Sequence, residues 1–160
     1  MPLLRFHSTE LSLDQRRMVA RELTDAMARA RRLEGPERDW CTVHFMPFAP
    51  DEVAIGGTLI ADGKVPEFWL ELSDHGLGRR DKRRLVKALT GAVVRAFDLP
   101  PEERYRISIV FRDYDAGDLA IGGTFVNEMW KQAVEAFYRR VLRRPGPILP
   151  DVPTRQDRWA

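Results

Sequence analysis

The sequence predicts an α/β fold, a two-layer α+β sandwich. Duplicated β-α-β units form a four-stranded sheet with two helices on one face, followed by a C-terminal helix and a tail. Three observations carry this expectation. The chain is self-similar at a fixed offset, each copy has one amphipathic helical stripe, and each stripe lies between two short apolar runs. A length of 160 residues with 44% hydrophobic and 31% charged residues suits one domain with a sizeable core.

Shifting the sequence by 66 positions aligns residues 11–58 with 77–124, and sixteen of the forty-eight pairs are identical. The densest block sets Ala54-Ile55-Gly56-Gly57-Thr58 against Ala120-Ile121-Gly122-Gly123-Thr124. Pro2 and Pro66 pair at an offset of 64, so the second copy holds two extra residues between Ser73 and Leu77. Self-similarity of this kind marks duplication of one supersecondary unit.

In the first unit, residues 3–8 read as a strand, and Ser12-Leu13-Asp14-Gln15 reads as a capping box opening a helix. Met18, Val19, Leu23, Ala26, Met27 and Ala30 recur at helical spacing, Gly35-Pro36 ends the helix, and Trp40 to Phe48 returns as a strand. The second unit repeats the order. Glu67 to Leu72 is its first strand, and Leu85, Val86, Leu89, Ala92, Val93, Ala96 and Phe97 stripe its helix. Pro100-Pro101 ends that helix, and Tyr105 to Phe111 is the return strand. Within each unit the crossover should be right-handed and its strands parallel. The uncovered sheet face then calls for oligomerisation. Glycine pairs after each return strand mark tight turns with positive φ. Met129, Trp130, Ala133, Val134, Phe137, Val141 and Leu142 stripe a third helix, and a proline-rich tail follows from Pro145.

A net charge of +2 gives no case for nucleic-acid binding. No apolar run approaches the ~20 residues that span a bilayer, and no signal peptide precedes the first strand. With a single cysteine, Cys41, the chain fits a reducing cytoplasm, and that thiol reads as a structural group rather than a nucleophile. Three scattered histidines show no metal-ligand spacing, so neither metal nor other cofactor is expected. His44, inside an apolar strand, reads as buried.

The remaining chemistry lies at the N-terminus. Loss of Met1 would leave Pro2 with a free secondary amine. An α-amino group titrates near pH 7.7–8.0 in short peptides, and burial would lower that value by disfavouring the charged form. A neutral amine is a usable general base.

A proline after the initiator Met, then strand, helix, strand and a closing Ile-Gly-Gly, twice over, resembles the tautomerase superfamily. That superfamily is typified by 4-oxalocrotonate tautomerase. The resemblance covers residues 2–124. It implies a fused member similar in length to cis-3-chloroacrylic acid dehalogenase, with units 2–58 and 66–124 inside a tautomerase-like domain 1–126. Residues 127–144 would form the added helix and 145–160 the extended tail. It further implies a cofactor-independent keto–enol tautomerase, an isomerase acting on a small enol or 2-oxo carboxylate. Its partner would be itself, as a homotrimer, with no nucleic acid and no membrane.

In that family the proline amine moves the proton and arginines hold the carboxylate. Pro66 is internal, so Pro2 is the catalytic candidate. The family's first arginine lies in the loop after strand one, but residues 8–12 contain none. The corresponding segment of the second unit holds His75, Arg79 and Arg80, so the duplication splits amine and anion binder between units. A second family arginine falls at Ser108 here, with Arg106 and Arg112 nearby on the expected strand face. The dehalogenase's helix histidine, strand tyrosine and glutamate fall at Met27, Val110 and Ile121, none of which activates water. Hydrolytic dehalogenation is therefore disfavoured, while decarboxylation and hydration stay compatible. Two rival readings remain: a catalytically silent trimer of the same fold, and a ferredoxin-like RNA- or protein-binding module. The run Arg79 to Arg84 would suit the module, but Arg106-Ile107-Ser108-Ile109-Val110-Phe111 lacks the aromatic pattern of RNA recognition strands.

Overall fold

The computed structural model describes residues 2–63, 67–114 and 117–129. Two compact units result, residues 1–113 and 114–160.

Within the first unit, the N-terminal run forms strand β1 (Leu3–Ser8) and leads into helix α1 (Leu13–Arg31). The capping box read from the sequence is present. The Gln15 N–H donates to Ser12 Oγ at 3.2 Å, and the Ser12 N–H donates to Gln15 Oε1 at 2.9 Å. These contacts satisfy two of the N–H groups that a helix start leaves without an internal acceptor. Arg32, at φ 56°, ends α1 in the left-handed region. A short 3-10 segment, Gly35–Trp40, precedes β2 (Thr42–Pro47). The return strand therefore begins two residues later than expected, because Trp40 belongs to the 3-10 turn. Strands β3 (Ala54–Ile55) and β4 (Thr58–Leu59) form a hairpin around Gly56 and Gly57. Both glycines have positive φ, 59° and 81°, as a two-residue turn matched to strand twist requires.

The second copy follows with β5 (Phe68–His75), α2 (Arg79–Phe97), a 3-10 segment Pro101–Arg106 and β6 (Ile107–Tyr114). Sheet order is β2-β1-β5-β6. As expected, β1 and β2 are parallel, and the two units meet through antiparallel pairing of β1 with β5. In the other unit, β7 (Ala120–Ile121) and β8 (Thr124–Phe125) repeat the hairpin around Gly122 and Gly123. Val126 to Met129 then start a helix. The rest of the expected C-terminal helix and the whole of the 145–160 tail lie outside the described residues.

Helices α1 and α2 pack against each other and share one core with the sheet. From the strands come Leu4, Phe6, Phe68, Leu70 and Leu72; from the helices come Val19, Leu23, Met27, Leu85, Leu89 and Val93. Each fully buried Leu or Phe contributes about 1.5–3 kcal/mol by leaving water. Met18 and Val86, counted in the apolar stripes above, are each 41% exposed at the stripe's edge. Phe6 stands in the middle, with ring centroids of Phe68, Phe97 and Phe45 at 5.9, 6.1 and 6.1 Å.

Strict strand alternation puts the other side chains on the sheet's second face. Leu3, Arg5 and His7 lie there with Trp69, Glu71 and Ser73. His44 shares Arg5's register position and is exposed, so its expected burial does not occur. Strand parity, rather than the apolar company of its neighbours in sequence, decides where it points.

Candidate active site at the head of the sheet

Pro2 is buried at the start of β1, and its carbonyl accepts the Thr42 N–H at 3.1 Å. Antiparallel register pairs Leu3 with Ser73 and Leu4 with Leu72. One step further along the same register, Pro2 lies opposite Asp74. Parity puts both on the helix-covered face, continuing the layers formed by Leu4 with Leu72 and Phe6 with Leu70.

Asp74 is 1% exposed, a carboxylate closing the end of an apolar core. Its oxygens are engaged. Arg31, from the last turn of α1, brings Nε within 3.0 Å of Oδ2. The His75 backbone N–H donates to Oδ1 at 2.9 Å, and His75 Nδ1 lies 3.5 Å from the same oxygen. Burial pushes the Asp74 carboxyl up. The His75 hydrogen bonds, the Arg31 guanidinium and the positive chain terminus outweigh it, so the group sits below the ordinary value of 3.8. Cys41, half-buried just before β2, is the neighbouring thiol. Burial first, and then the Asp74 charge, push it up from 9.0, so it stays a protonated thiol near neutrality.

Beyond Asp74 the chain turns through Gly76, whose φ of +65° only glycine adopts without strain. Gly78 caps α2, its N–H donating to Asp81 Oδ2 at 3.2 Å. Arg79 and Arg80 are the first two helical residues and both are exposed. Cations at this end oppose the helix dipole, so helix stability does not account for their presence. Lys82, one turn on, is tied to Asp113 at 2.6 Å. The segment after Asp74 thus offers an imidazole and two guanidinium groups, donors suited to a carboxylate.

The other two arginines read from the sequence stand elsewhere in the chain. Arg106 ends the 3-10 segment rather than lying on β6. It is 8% exposed, paired with Glu103, and its guanidinium lies 5.7 Å from the ring centre of Phe68. Phe68 starts β5 while Asp74 lies near its end, so Arg106 occupies the opposite end of the sheet from Pro2. Arg112 is on the second face, where it and Arg5 each approach Glu71 at 3.7 Å. Pro2, His75, Arg79 and Arg80 therefore come to one end of the sheet; Arg106 and Arg112 do not join them within this chain.

Asp74 and Arg31 were not singled out from the sequence, although a signal existed. Asp74 continues the apolar parity of 68, 70 and 72, and Arg31 falls four residues after Met27 on the buried stripe. Charged residues at core positions require partners. Among the described residues, no group of three His, Cys, Asp or Glu could hold a metal ion, and no helix is long and apolar enough to cross a membrane.

Residues 75–129 match a family model described as tautomerase enzyme. Among solved structures, a native fused 4-OT is similar at 18% identity and a TM-score of 0.71, over 80% of this chain and 98% of that one. The F6 fused 4-OT, an asymmetric trimer, is similar at 16% identity and a TM-score of 0.67, over 79% of this chain and 98% of that one. N1, a member of the cis-3-chloroacrylic acid dehalogenase family, is similar at 17% identity and a TM-score of 0.65, over 88% of this chain and 98% of that one. No curated protein matches the chain.

Proposed function

We propose that this chain, which carries the tautomerase-superfamily fold in its fused, double-unit form, is a cofactor-independent keto–enol tautomerase of a small 2-oxo acid. Pro2, freed by loss of Met1, is the group that moves the proton. The observation that carries the reading is the convergence, at one end of the sheet, of buried Pro2 with the His75, Arg79 and Arg80 segment. In the reaction the arginines hold the substrate carboxylate, and the amine shuttles a proton between the enol oxygen and the adjacent carbon. Nothing is oxidised, and no metal is required for this transfer.

The fused 4-OT neighbour assembles as a trimer, and this chain has a surface suited to the same assembly. Trp69 and Met46, 49% and 40% exposed, stand on the sheet's second face beside the Arg5–Glu71–Arg112 cluster. A trimer through that face would bring Arg112 of one subunit against its neighbour.

A second reading, a trimer of the same fold without catalysis, draws on one feature: residues 8–12, the loop after the first strand, hold no arginine. Turnover separates the two. The parent protein should ketonise phenylpyruvate enol or 2-hydroxymuconate, and Pro2→Ala should lose at least 100-fold in kcat/KM. Equal turnover by both proteins would refute Pro2 as the proton carrier. No turnover by either would favour the silent trimer.

A further inference from the structure

The pairing of Pro2 with Asp74 assigns the carboxylate a task that fold maintenance leaves unexplained. A leucine would close the core there without desolvating any charge, as Leu72 and Leu70 do one and two layers below. Instead the chain places an acid at 1% exposure and supplies Arg31 at 3.0 Å. We propose that Asp74, held by Arg31, is a positioning residue that serves as counter-ion to the Pro2 amine. It keeps that amine protonated at rest, so that the N-terminus first donates a proton to the substrate. The inference rests on the reading of Pro2 as the proton carrier and reverses the direction expected from burial alone.

Directly opposed residues of an antiparallel pair have Cα atoms about 4.5–5.5 Å apart. The proline ring and the Asp74 side chain share one face, and a carboxylate within ~4–6 Å of the terminal amine would favour both charged forms. Four titratable or charged groups stand at this end of the sheet, one strand or helix end away from Pro2. Asp74 and His75 come from the end of β5, Arg31 from the end of α1, and Cys41 from the start of β2. Asp74 is the anion among them. Cys41 is a protonated thiol near neutrality, and Arg31 is already committed to Asp74.

The step balances simply. A secondary ammonium has two N–H bonds, one directed to the Asp74 carboxylate and one to the substrate. As a C–H bond forms at the enol carbon, the second N–H bond breaks; the enol O–H bond breaks as the carbonyl forms, and its proton returns to the now neutral amine.

The test is an NMR titration of the Pro2 nitrogen in 15N-proline-labelled full-length protein, with methionine aminopeptidase used to remove any residual Met1. The reference is the peptide Pro-Leu-Leu-Arg. The parent midpoint should lie about one pH unit above the peptide's, and Asp74→Asn should lower it by about one unit. A parent midpoint at or below the peptide's overturns the proposal. So does an Asp74→Asn protein that unfolds more readily yet titrates as the parent does, which is the outcome of a purely structural role. If Asp74→Asn fails to fold, the parent-to-peptide comparison decides. Because the titration is independent of turnover, loss of the tautomerase reading and loss of this inference are separately visible.

Discussion

Replacing Arg31 by methionine keeps most of the side-chain stem and deletes the guanidinium that faces Asp74. At 3.0 Å and an effective dielectric constant near 20, the lost attraction is about 5 kcal/mol in gross terms. Arg31 is itself 21% exposed and gains hydration when unpaired, so the net loss is smaller. Removing one partner of a buried pair costs roughly 3–5 kcal/mol, and the lower bound of about 3 kcal/mol is expected here. One pH unit corresponds to 1.36 kcal/mol. Part of that loss appears as a rise of the Asp74 carboxyl from its lowered position, because burial, the largest influence on it, is then less opposed.

The sign of the pH dependence follows. In the parent the folded value lies below the unfolded one. Stability from this group is present above the unfolded value and is lost as pH falls through the folded value. In Arg31→Met the folded value lies above the unfolded one. That variant should recover stability as pH drops from 7 toward 5 and the carboxyl protonates, while the parent gains nothing from this group. Urea unfolding of both proteins at pH 7 and pH 5 reads the difference directly. A loss below 1 kcal/mol at pH 7, or one unchanged at pH 5, would refute the account of Asp74 as a buried, ionised and paired carboxylate.

Two further outcomes are expected. Phe6→Ala removes the ring that meets Phe45, Phe68 and Phe97, and it should cost about 4 kcal/mol in urea unfolding; a loss below 1 kcal/mol would mean that this core collapses around the gap. Arg79→Ala combined with Arg80→Ala should raise KM for a 2-oxo acid about tenfold with little change in kcat, the pattern of lost carboxylate binding; unchanged kinetics would exclude both residues from the site.

The repeat made most of the fold legible. It fixed two equivalent units and so the pairing of two helices over four strands. Local chemistry at Ser12 and Gln15 located the start of α1. Both return strands begin two residues late for one reason: Trp40 and Tyr105 lie in 3-10 segments with a proline in their first two positions, and periodicity cannot separate these from a strand. The same offset removed Arg106 from β6 and turned it onto Phe68. In the site, Pro2 was legible because a backbone amine exists only at a chain terminus. Asp74 and Arg31 were not, because their importance depends on a cross-strand register that joins positions 72 residues apart. The direction of the electrostatic effect on Pro2 is likewise a property of that register rather than of the N-terminal dipeptide.

The central claim, that a free Pro2 amine carries the chemistry, is tested most directly by covalent capture. The full-length protein is incubated with 3-bromopropiolate at rising pH, and the adduct is located by mass spectrometry. The account predicts intact protein without Met1, one adduct on the Pro2 nitrogen, and none in a sample whose amine has been acetylated beforehand. Retained Met1, or an adduct on Cys41 or a lysine with Pro2 unmodified, would contradict it.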